Sequence, residues 1–405
     1  MRREKCLACS SNRLIKIMDL GNHAFADTFV PLDKKSDPLV TYNLSCELCP
    51  SCGNVQSSCE TDPVDRYSLF EYSYTSSNSR TSMRHWDDFS LDVSSKLGLT
   101  RDSFVVEVGS NDGYLLGRFR ENLGTKILGI DASSYVSKIA IDNGIETEVA
   151  IFDSNISKKI LKKHKKADLV VANNVFNHSE NPVDFACAAA DILSSDGTFV
   201  FEVPYWKCSV ESEKIDQVYH EHVTYMTVKS AKQILKSAGL VIEDVEVVDY
   251  HGGSLRVYAK KKPFQEQESV QHMIDDEESL GLFESNTYEK LMKKLHKRKF
   301  RFLRKIYDIK SSDIPILAVG AAAKGNTFLR FLNLDHNVVD YVTDASKHKQ
   351  GKITPLTNIS ICGDEVFANY DEVYALILSW NISGKIKEKL YEINPNIKFL
   401  VFDEF

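Results

Sequence analysis

The pattern of apolar positions changes character several times along the chain. Over residues 80–97 it follows a helical period, which predicts an amphipathic helix with these residues on its apolar side: Met83, Trp86, Phe89, Leu91 and Val93. Residues 104–108, 126–131 and 167–172 are instead short apolar runs, and a segment of helical pattern follows each. This alternation predicts a parallel, doubly wound α/β sheet, which residues 240–260 would extend with antiparallel strands.

A glycine-containing loop follows the first of these strands. Residues 109–113 read Gly-Ser-Asn-Asp-Gly, and the next strand ends in Asp131, which could accept hydrogen bonds from ribose hydroxyls. Asp112 would repel a pyrophosphate, so the loop favours the cationic cofactor S-adenosylmethionine over NAD, with a purely structural turn as the alternative. The candidate cofactor-binding residues are Glu107, Gly109, Ser110, Asn111, Asp112, Gly113, Asp131 and Asn174.

The last third of the chain repeats the strand-loop-helix theme. Residues 262–310 are charged and of helical pattern, and their basic run is better explained as a solvated helix between two domains than as a nucleic-acid surface. Residues 314–329 then form a strand, a glycine loop with Lys324, and a helix, a combination that could cradle an anion. Later apolar runs predict a second, smaller α/β unit.

Composition narrows the class of protein. The chain has 405 residues, enough for two or three domains, and a net charge of −7, which argues mildly against a nucleic-acid partner. The amino terminus shows no signal peptide and no membrane span, so we expect a cytoplasmic protein. Its nine cysteines are odd in number and concentrated in the first 60 residues, which points to a metal site and predicts no structural disulfides.

Two Cys-x2-Cys pairs carry the metal prediction. Four thiolates on two tight turns, from Cys6, Cys9, Cys49 and Cys52, would give the closed tetrahedral site that a structural zinc ion prefers. Cys46 and Cys59 lie close enough in sequence that either could replace one of the four. Redox-active or free thiols are the alternative.

Titratable groups are concentrated in residues 216–225. This segment contains Tyr219, His220, Glu221 and His222, which suits proton-transfer chemistry but could also be a polar turn or a metal site. Topology places it over the same cleft as His178, which follows the strand at 167–171. Nearer the amino terminus, Tyr72, Tyr74 and neighbouring hydroxyls would suit a polyhydroxylated ligand.

Seven motifs follow one another along the chain: Cys-x2-Cys-Gly-x-Val-Gln, Tyr-x-Tyr-x-Ser-Ser, Glu-x-Gly-Ser-Asn-Asp-Gly, Asn-Val-Phe-x-His, Tyr-His-Glu-His, His-Gly-Gly-Ser-Leu-Arg and Ala-Lys-Gly-Asn-Thr. In this order and spacing they resemble one family over nearly the whole chain, the nucleotide-sugar C-methyltransferases of deoxysugar pathways. The resemblance implies an α/β protein with a small zinc-binding domain (1–70), a Rossmann-like methyltransferase domain (71–262) and a second Rossmann-like domain (263–405) that helps bind the nucleotide sugar. Residue 356 is Leu where the family suggests Gly.

The resemblance also implies roles for single residues. His222 would be the catalytic base, and the residues around the sugar would be Tyr219, Glu221, His178 and one of Tyr72 and Tyr74. Zinc would be bound by the four cysteines of the two Cys-x2-Cys pairs, here called the knuckle cysteines: Cys6, Cys9, Cys49 and Cys52. Further substrate-binding candidates within the motifs are His251, Ser254, Arg256, Lys324 and Asn326. The role of His220 stays open.

The implied function is S-adenosylmethionine-dependent methylation of a 4-keto-6-deoxy sugar, at C-3 by analogy, through an enolate formed by a base. The nucleotide could be dTDP, GDP or CDP, and a monomer without nucleic-acid or membrane partners is expected. Two alternatives stay open: an RNA or protein methyltransferase with a zinc ribbon, and a non-catalytic module that binds nucleotide sugars. The acidic net charge argues against the first, and the titratable cluster at 219–222 argues against the second.

Overall fold

Three main sheets organise the part of the chain that the structure describes. The structure is a computed structural model, and it describes residues 2–61, 75–77, 79–261 and 265–405. The sheets have four, seven and five strands, and a short two-stranded pairing joins the first unit to the third. We call the three parts the zinc unit, the central unit and the third unit.

The zinc unit is an antiparallel sheet with one strand borrowed from the central unit. Its own strands are β1 (Ile15–His23), β2 (Val30–Pro31), β3 (Tyr42–Leu48) and β4 (Val55–Ser57). The order β1-β3-β4 is completed by β10 (Thr224–Tyr225), where Thr224 pairs with Gln56. The end of the segment at 216–225 is therefore built into the sheet of the zinc unit.

The central unit is a seven-stranded sheet with an antiparallel end, as predicted. Its strands are β5 (Phe104–Val108), β6 (Lys126–Asp131), β7 (Thr147–Val149), β8 (Ala167–Val171), β9 (Leu193–Pro204), β11 (Leu240–Val248) and β12 (Ser254–Lys261). The order is β11-β12-β9-β8-β5-β6-β7, and β12 runs antiparallel to both of its neighbours. Its helices are α1 (Arg80–Leu97), α2 (Tyr114–Leu123), α3 (Ser134–Asp142), α4 (Ser154–Leu161), α5 (Pro182–Ile192), α6 (Trp206–Glu211) and α7 (Val228–Ser237).

The first of these helices has the predicted bounds but not the whole predicted face. It begins where the side chain of Ser79 accepts a hydrogen bond from the Ser82 amide, and it ends at Gly98, whose φ is 61°. Trp86 and Phe89 are buried, whereas Leu91 is 55% exposed. The prediction for Leu91 was wrong because position 91 is two residues from 89 and therefore faces the other side of the helix.

The third unit is a parallel five-stranded sheet that follows two helices. The helices are α8 (Glu268–Ser279) and α9 (Ser285–Lys310). The sheet has the order β16-β14-β13-β17-β18 and is flanked by α10 (Ala323–Leu332) and α11 (Ser383–Ile393). Its strands are β13 (Ile316–Val319), β14 (Tyr341–Thr343), β16 (Ile361–Cys362), β17 (Val373–Ile377) and β18 (Ile397–Leu400), and β15 (Lys352–Ile353) pairs with β2.

A shared core holds the units together. One hydrophobic cluster contains Leu44 of the zinc unit, Val218 of the central unit and Phe302 of the third unit, and all three are fully buried. Phe302 belongs to the basic helix α9, whose apolar side is buried as predicted while most of its basic residues are exposed. Burial of each large apolar side chain contributes about 1.5–3 kcal/mol, so this core stabilises the arrangement of all three units.

No helix in the described ranges combines the length and the hydropathy needed to cross a membrane.

Candidate active site

The four predicted knuckle cysteines come together in the zinc unit. Their Sγ atoms all lie within 4.8 Å of one another, with Cys6 and Cys52 3.6 Å apart and Cys9 and Cys49 3.7 Å apart. A tetrahedral ion with Zn–S bonds of about 2.3 Å holds its sulfur atoms about 3.8 Å apart. The four thiols therefore fit a structural zinc ion without rearrangement.

The two other cysteines of this region lie outside that cluster. Cys46 is fully buried in β3, where burial raises the pKa of its thiol to about 12, and Cys59 pairs through its backbone with Arg2. Across the ranges that the structure describes, the one Cys-containing group that could hold a metal has only the four knuckle residues. All nine cysteines are free thiols.

The loop after β5 has the geometry of a cofactor-binding loop. The Gly109 amide donates to the carbonyl of Ile130, and the Asn111 amide donates to Oδ2 of Asp131 at 2.9 Å. The other carboxylate oxygen of Asp131 accepts from the Ser133 amide at 2.8 Å, so Asp131 ties the loop to the end of β6. The loop is thus held at the carboxyl ends of the parallel strands, where open α/β sheets bind ligands.

A second segment covers this loop. The Ser76 amide donates to Oδ1 of Asn111 at 2.9 Å, and both the amide and the hydroxyl of Ser77 donate to Oδ2 of Asp112. The donors around the loop are amides and hydroxyls, while Glu107, Asp112 and Asp131 supply three carboxyl groups. Such a set suits a cofactor with positive charge and no phosphate, so the described residues fit S-adenosylmethionine.

Gly109 is a residue of this loop that does not tolerate a side chain. Its φ is +72°, and a Cβ atom there would lie 2.8 Å from Cβ of Val175. We expect Gly109→Ala to weaken S-adenosylmethionine binding at least about tenfold, because strain of roughly 1–3 kcal/mol would fall on the loop itself. Equilibrium dialysis measures the affinity, and Gly98→Ala, where φ is also positive but no atom lies within 4 Å, is the matched control. Equal losses in both variants would contradict this expectation, because Gly98 ends α1 outside the cofactor loop and the loss would then reflect a general effect on the fold.

His222 is the best-defined titratable group of the segment at 216–225. Its Nδ1 lies 2.8 Å from the carbonyl oxygen of Gln217, which can only accept, so Nδ1 carries the proton. Its Nε2 therefore has a lone pair in the neutral ring, and the Tyr219 hydroxyl donates to it at 2.7 Å. This arrangement fixes one tautomer and holds one basic nitrogen ready.

Burial keeps His222 neutral. Burial is the largest cause that lowers its pKa well below the usual value, the positive fields of His178 and Lys324 add to it, and the bond to Gln217 opposes it. The ring centres of His178 and His222 are 5.2 Å apart. The Val223 amide donates to the carbonyl of Asn177, and this bond joins the segment to the loop after β8 as the topology predicted.

His220 and Glu221 are buried beside His222. The His220 ring meets the edges of Phe25 and Tyr42 at centroid distances of 5.8 and 5.9 Å. His220 therefore packs the segment against the zinc unit, which gives a role to a residue that the sequence left unexplained. Glu221 is 6% exposed.

The third unit reaches the same place through the start of α10. Nζ of Lys324 lies 3.3 Å from Oδ2 of Asp216. Nδ2 of Asn326 donates to the carbonyl of Ala26 in the zinc unit at 2.7 Å. Lys324 and Asn326 thus lie where all three units meet, beside the segment at 216–225.

The other three substrate-binding candidates have surroundings unlike those of Lys324 and Asn326; they are His251, Ser254 and Arg256. His251 has a φ of 54°, stacks on Tyr250 with ring centres 4.0 Å apart, and has a pKa lowered to about 3, mainly by burial. The Ser254 hydroxyl donates to the carbonyl of Tyr250, and Nε of Arg256 lies 2.5 Å from Oε1 of Glu202. These contacts account for Ser254 and Arg256 without a ligand, and their substrate-binding roles stay predictions.

Sequence reasoning missed two residues that support the site, Gln217 and Glu202. The backbone carbonyl of Gln217 accepts a hydrogen bond from Nδ1–H of His222. The side-chain amide of Gln217 donates to the carbonyl of His251 at 3.4 Å. Glu202 is fully buried between Arg256 and His85, whose Nε2 lies 2.7 Å from it. A glutamate within the apolar run 199–203 must find a partner, and this signal could have pointed to Glu202. Gln217 gives no such signal.

Ser110 belongs to the cofactor loop, and Asn174 follows β8 in the central unit. The Asn174 amide donates to the carbonyl of Glu202 at 2.7 Å, and the residue has a φ of 53°. The Ser110 hydroxyl is buried without a partner among the described residues. Tyr72 and Tyr74 lie outside the described residues.

Three protein families match successive parts of the chain. They are described as "Putative zinc binding domain" over residues 6–67, "Methyltransferase domain" over residues 80–245 and "C-methyltransferase C-terminal domain" over residues 249–402. The predicted fold class is thereby confirmed: a zinc-binding unit, a Rossmann-like methyltransferase unit and a second α/β unit. The predicted cofactors, S-adenosylmethionine and structural zinc, agree with these families and with the four clustered thiols.

A curated relative is similar over almost the whole length. The C-methyltransferase NovU of Streptomyces niveus is 26% identical over 395 residues, which cover 97% of this chain and 93% of that protein. The resemblance to the C-methyltransferases is thereby confirmed.

Two solved methyltransferase structures are similar to part of this chain. An S-adenosylmethionine-dependent methyltransferase from Clostridium acetobutylicum is 16% identical, with a TM-score of 0.35 over 44% of this chain and 92% of that one. The magnesium protoporphyrin IX methyltransferase of Synechocystis is 12% identical, with a TM-score of 0.34 over 44% of this chain and 79% of that one.

Proposed function

We propose that this S-adenosylmethionine-dependent C-methyltransferase methylates a nucleotide-linked 4-keto-6-deoxy sugar at C-3, next to the keto group. The observation that carries the proposal is the buried, neutral His222, with its Nε2 lone pair held against the hydroxyl of Tyr219. A carbon beside a keto group becomes nucleophilic only after it loses a proton. A fixed neutral histidine is suited to removing that proton.

His222 acts as the base through Nε2. When bound, S-adenosylmethionine supplies an electrophilic methyl group. The carbonyl of Gln217 holds the Nδ1 proton, so the imidazolium formed by proton uptake keeps its orientation. General base catalysis of this kind contributes on the order of 10²–10⁴ in rate.

Tyr219 has two successive roles. In the ligand-free protein its hydroxyl occupies the Nε2 lone pair of His222. A substrate C–H that reaches Nε2 must displace this hydroxyl, which is then free to donate to the developing enolate oxygen, and His178 is the second donor. One well-aimed donor to an oxyanion contributes roughly 3–4 kcal/mol. Glu221 orients a histidine or binds a sugar hydroxyl.

Lys324 links the charge of the substrate to the basicity of His222. Its positive field is one of the causes that keep the pKa of His222 low, after burial and His178. The diphosphate group of a nucleotide sugar, bound near Lys324 and the start of α10, would neutralise this field and raise the pKa of His222. A nucleotide sugar would then make the base stronger as it binds, which a neutral sugar could not do.

Hydrogen exchange without the methyl donor tests the proposal. The protein is incubated in deuterium oxide with dTDP-, GDP- and CDP-linked 4-keto-6-deoxy sugars, and NMR reports which carbon takes up deuterium. We expect exchange at C-3 that His222→Asn slows at least about a hundredfold. Exchange at C-5 alone would reassign the methylated carbon.

Binding measurements separate the other classes of function. Binding of these sugars with neither exchange nor methylation would favour a non-catalytic module. Tight tRNA binding at physiological salt, with no response to any of the sugars, would favour an RNA methyltransferase with a zinc ribbon.

A further inference from the structure

Three carboxyl groups surround the cofactor loop without any basic partner among the described residues. Glu107 lies near the end of β5 and is 6% exposed, and its Oε2 is buried without a hydrogen-bond partner. Asp131 and Asp112 flank it, but their oxygens already accept from amides and hydroxyls of residues 77, 111, 114 and 133. In ranges 2–61, 75–77, 79–261 and 265–405, no Lys, Arg or His forms an ion pair with these three residues.

A carboxylate in this position is costly. An ionised carboxylate that is buried with one oxygen lacking a donor is costly, and two neighbouring carboxylates add repulsion. Burial is accordingly the largest cause that raises the pKa of Glu107 well above its usual value, followed by Asp112 and Asp131, whereas the Leu116 amide in the first turn of α2 opposes them. Glu107 therefore carries a proton in the ligand-free protein over a pH range in which an exposed glutamate is ionised.

We propose that Glu107 gives up this proton when the cofactor binds, so that the positive charge of the cofactor takes the place of the proton. The O–H bond of the Glu107 carboxyl breaks, the proton goes to the buffer, and the carboxylate is balanced by the cation brought into the cleft. No oxidant or reductant is involved. In each binding event the positive charge of the proton leaves Glu107, and the positive charge of the cofactor takes its place in the buried cleft.

This coupling gives the cleft a selectivity for charge. A neutral nucleoside such as adenosine offers nothing to replace the proton, so Glu107 stays protonated when adenosine binds. The proposal rests on the cofactor assignment and not on the sugar substrate. Its test uses no sugar, so its failure and the failure of the proposed function are distinguishable.

Calorimetry of the ligand-free protein tests the coupling. S-adenosylmethionine is titrated at several pH values between about pH 5.5 and 8 in buffers that differ in ionisation enthalpy, and the dependence of the observed enthalpy on the buffer gives the number of protons released. We expect about one proton per bound cofactor at the acid end, and an affinity that rises about tenfold per pH unit there. With adenosine we expect no release. Release of no proton from S-adenosylmethionine at any pH would overturn the proposal.

Two variants identify the source of the proton. Glu107→Gln keeps the shape of the side chain without an ionisable proton, and we expect it to release none. Asp131→Asn is the comparison variant: it should bind more weakly and still release about one proton, but at lower pH, because it removes one of the charges that raise the pKa of Glu107. Undiminished release in Glu107→Gln would assign the proton to another group and overturn the proposal.

Thermal unfolding gives an independent measure that needs no cofactor. Because the pKa of Glu107 is raised in the folded protein, its contribution to stability is fully present below the pKa of the unfolded chain and is lost as pH rises through the folded pKa. The melting temperature of the wild type should therefore fall more steeply than that of Glu107→Gln as the pH rises over this range. Parallel pH dependences would contradict a protonated Glu107.

Discussion

His222→Asn is expected to lower the rate of methyl transfer at least about a hundredfold while S-adenosylmethionine still binds with nearly normal affinity. Asparagine can keep a hydrogen bond to the carbonyl of Gln217, but it has no basic nitrogen with which to remove a carbon-bound proton. The cofactor loop at 109–113 forms hydrogen bonds with β6 and with residues 76–77, away from His222. The rate of S-adenosylhomocysteine formation and the dissociation constant of the cofactor provide the two measurements.

A second pair of variants makes this result specific. His272 is an exposed histidine of α8, and His272→Asn should leave both quantities unchanged. Tyr219→Phe should slow methyl transfer by roughly a hundredfold or more, because it removes a donor to the enolate oxygen, yet it should leave the base in place. Near-normal turnover of His222→Asn would refute the assignment of the base, whatever the other variants do.

Loss of one zinc ligand is expected to have the largest effect on stability. Cys49 is fully buried, and its backbone accepts from the Gly53 amide and donates to the carbonyl of Asn54. Cys49→Ser should abolish zinc retention, because a serine hydroxyl at neutral pH is a far poorer ligand than a thiolate. Structural zinc sites contribute about 10–16 kcal/mol of apparent binding free energy to folding, so even partial loss should lower stability by several kcal/mol.

Metal analysis and calorimetric unfolding together check this expectation. The wild type should contain about one zinc ion per chain, and Cys49→Ser should contain none. Cys59→Ser is the control, since Cys59 lies in the same unit but outside the thiol cluster. Methyl transfer should also fall in Cys49→Ser, because Phe25 and Tyr42 of the zinc unit pack against His220. Full zinc content in Cys49→Ser would mean that three thiolates and another ligand suffice.

The features that sequence predicted well are those that depend on repeating patterns. The helix at Arg80–Leu97 was predicted from the helical period of its apolar residues, and the knuckle cysteines were recognised from their spacing. Leu91 was wrongly assigned to the apolar side of this helix, because its position around the helix axis differs from that of Trp86 and Phe89. The parallel central sheet with its antiparallel end followed from the alternation of strands and helices, whereas the order of its strands was not predicted.

The parts of the site that sequence could not give depend on contacts between distant residues. The tautomer of His222 is set by the backbone carbonyl of Gln217. Because every residue has a backbone carbonyl, the amino-acid type at position 217 gives no indication of this role. Arg256 could be read as a ligand for a substrate anion until its register against Glu202 was known. Its salt bridge is a property of strand pairing and not of either residue alone. The catalytic and substrate-binding roles themselves remain predictions.

The short strand at Thr224–Tyr225 closes the sheet of the zinc unit with residues encoded far downstream of it. During synthesis the edge of β4 must stay unpaired until the ribosome has made nearly all of the central unit. An isolated amino-terminal fragment would keep that edge open, and open edges favour pairing between chains. Closing so long a loop is slow, so the thiol cluster can form early whereas the sheet behind it closes late. The segment with His222 is therefore tied to the zinc unit only when the sheet closes, which makes a competent site one of the last features of the chain to form.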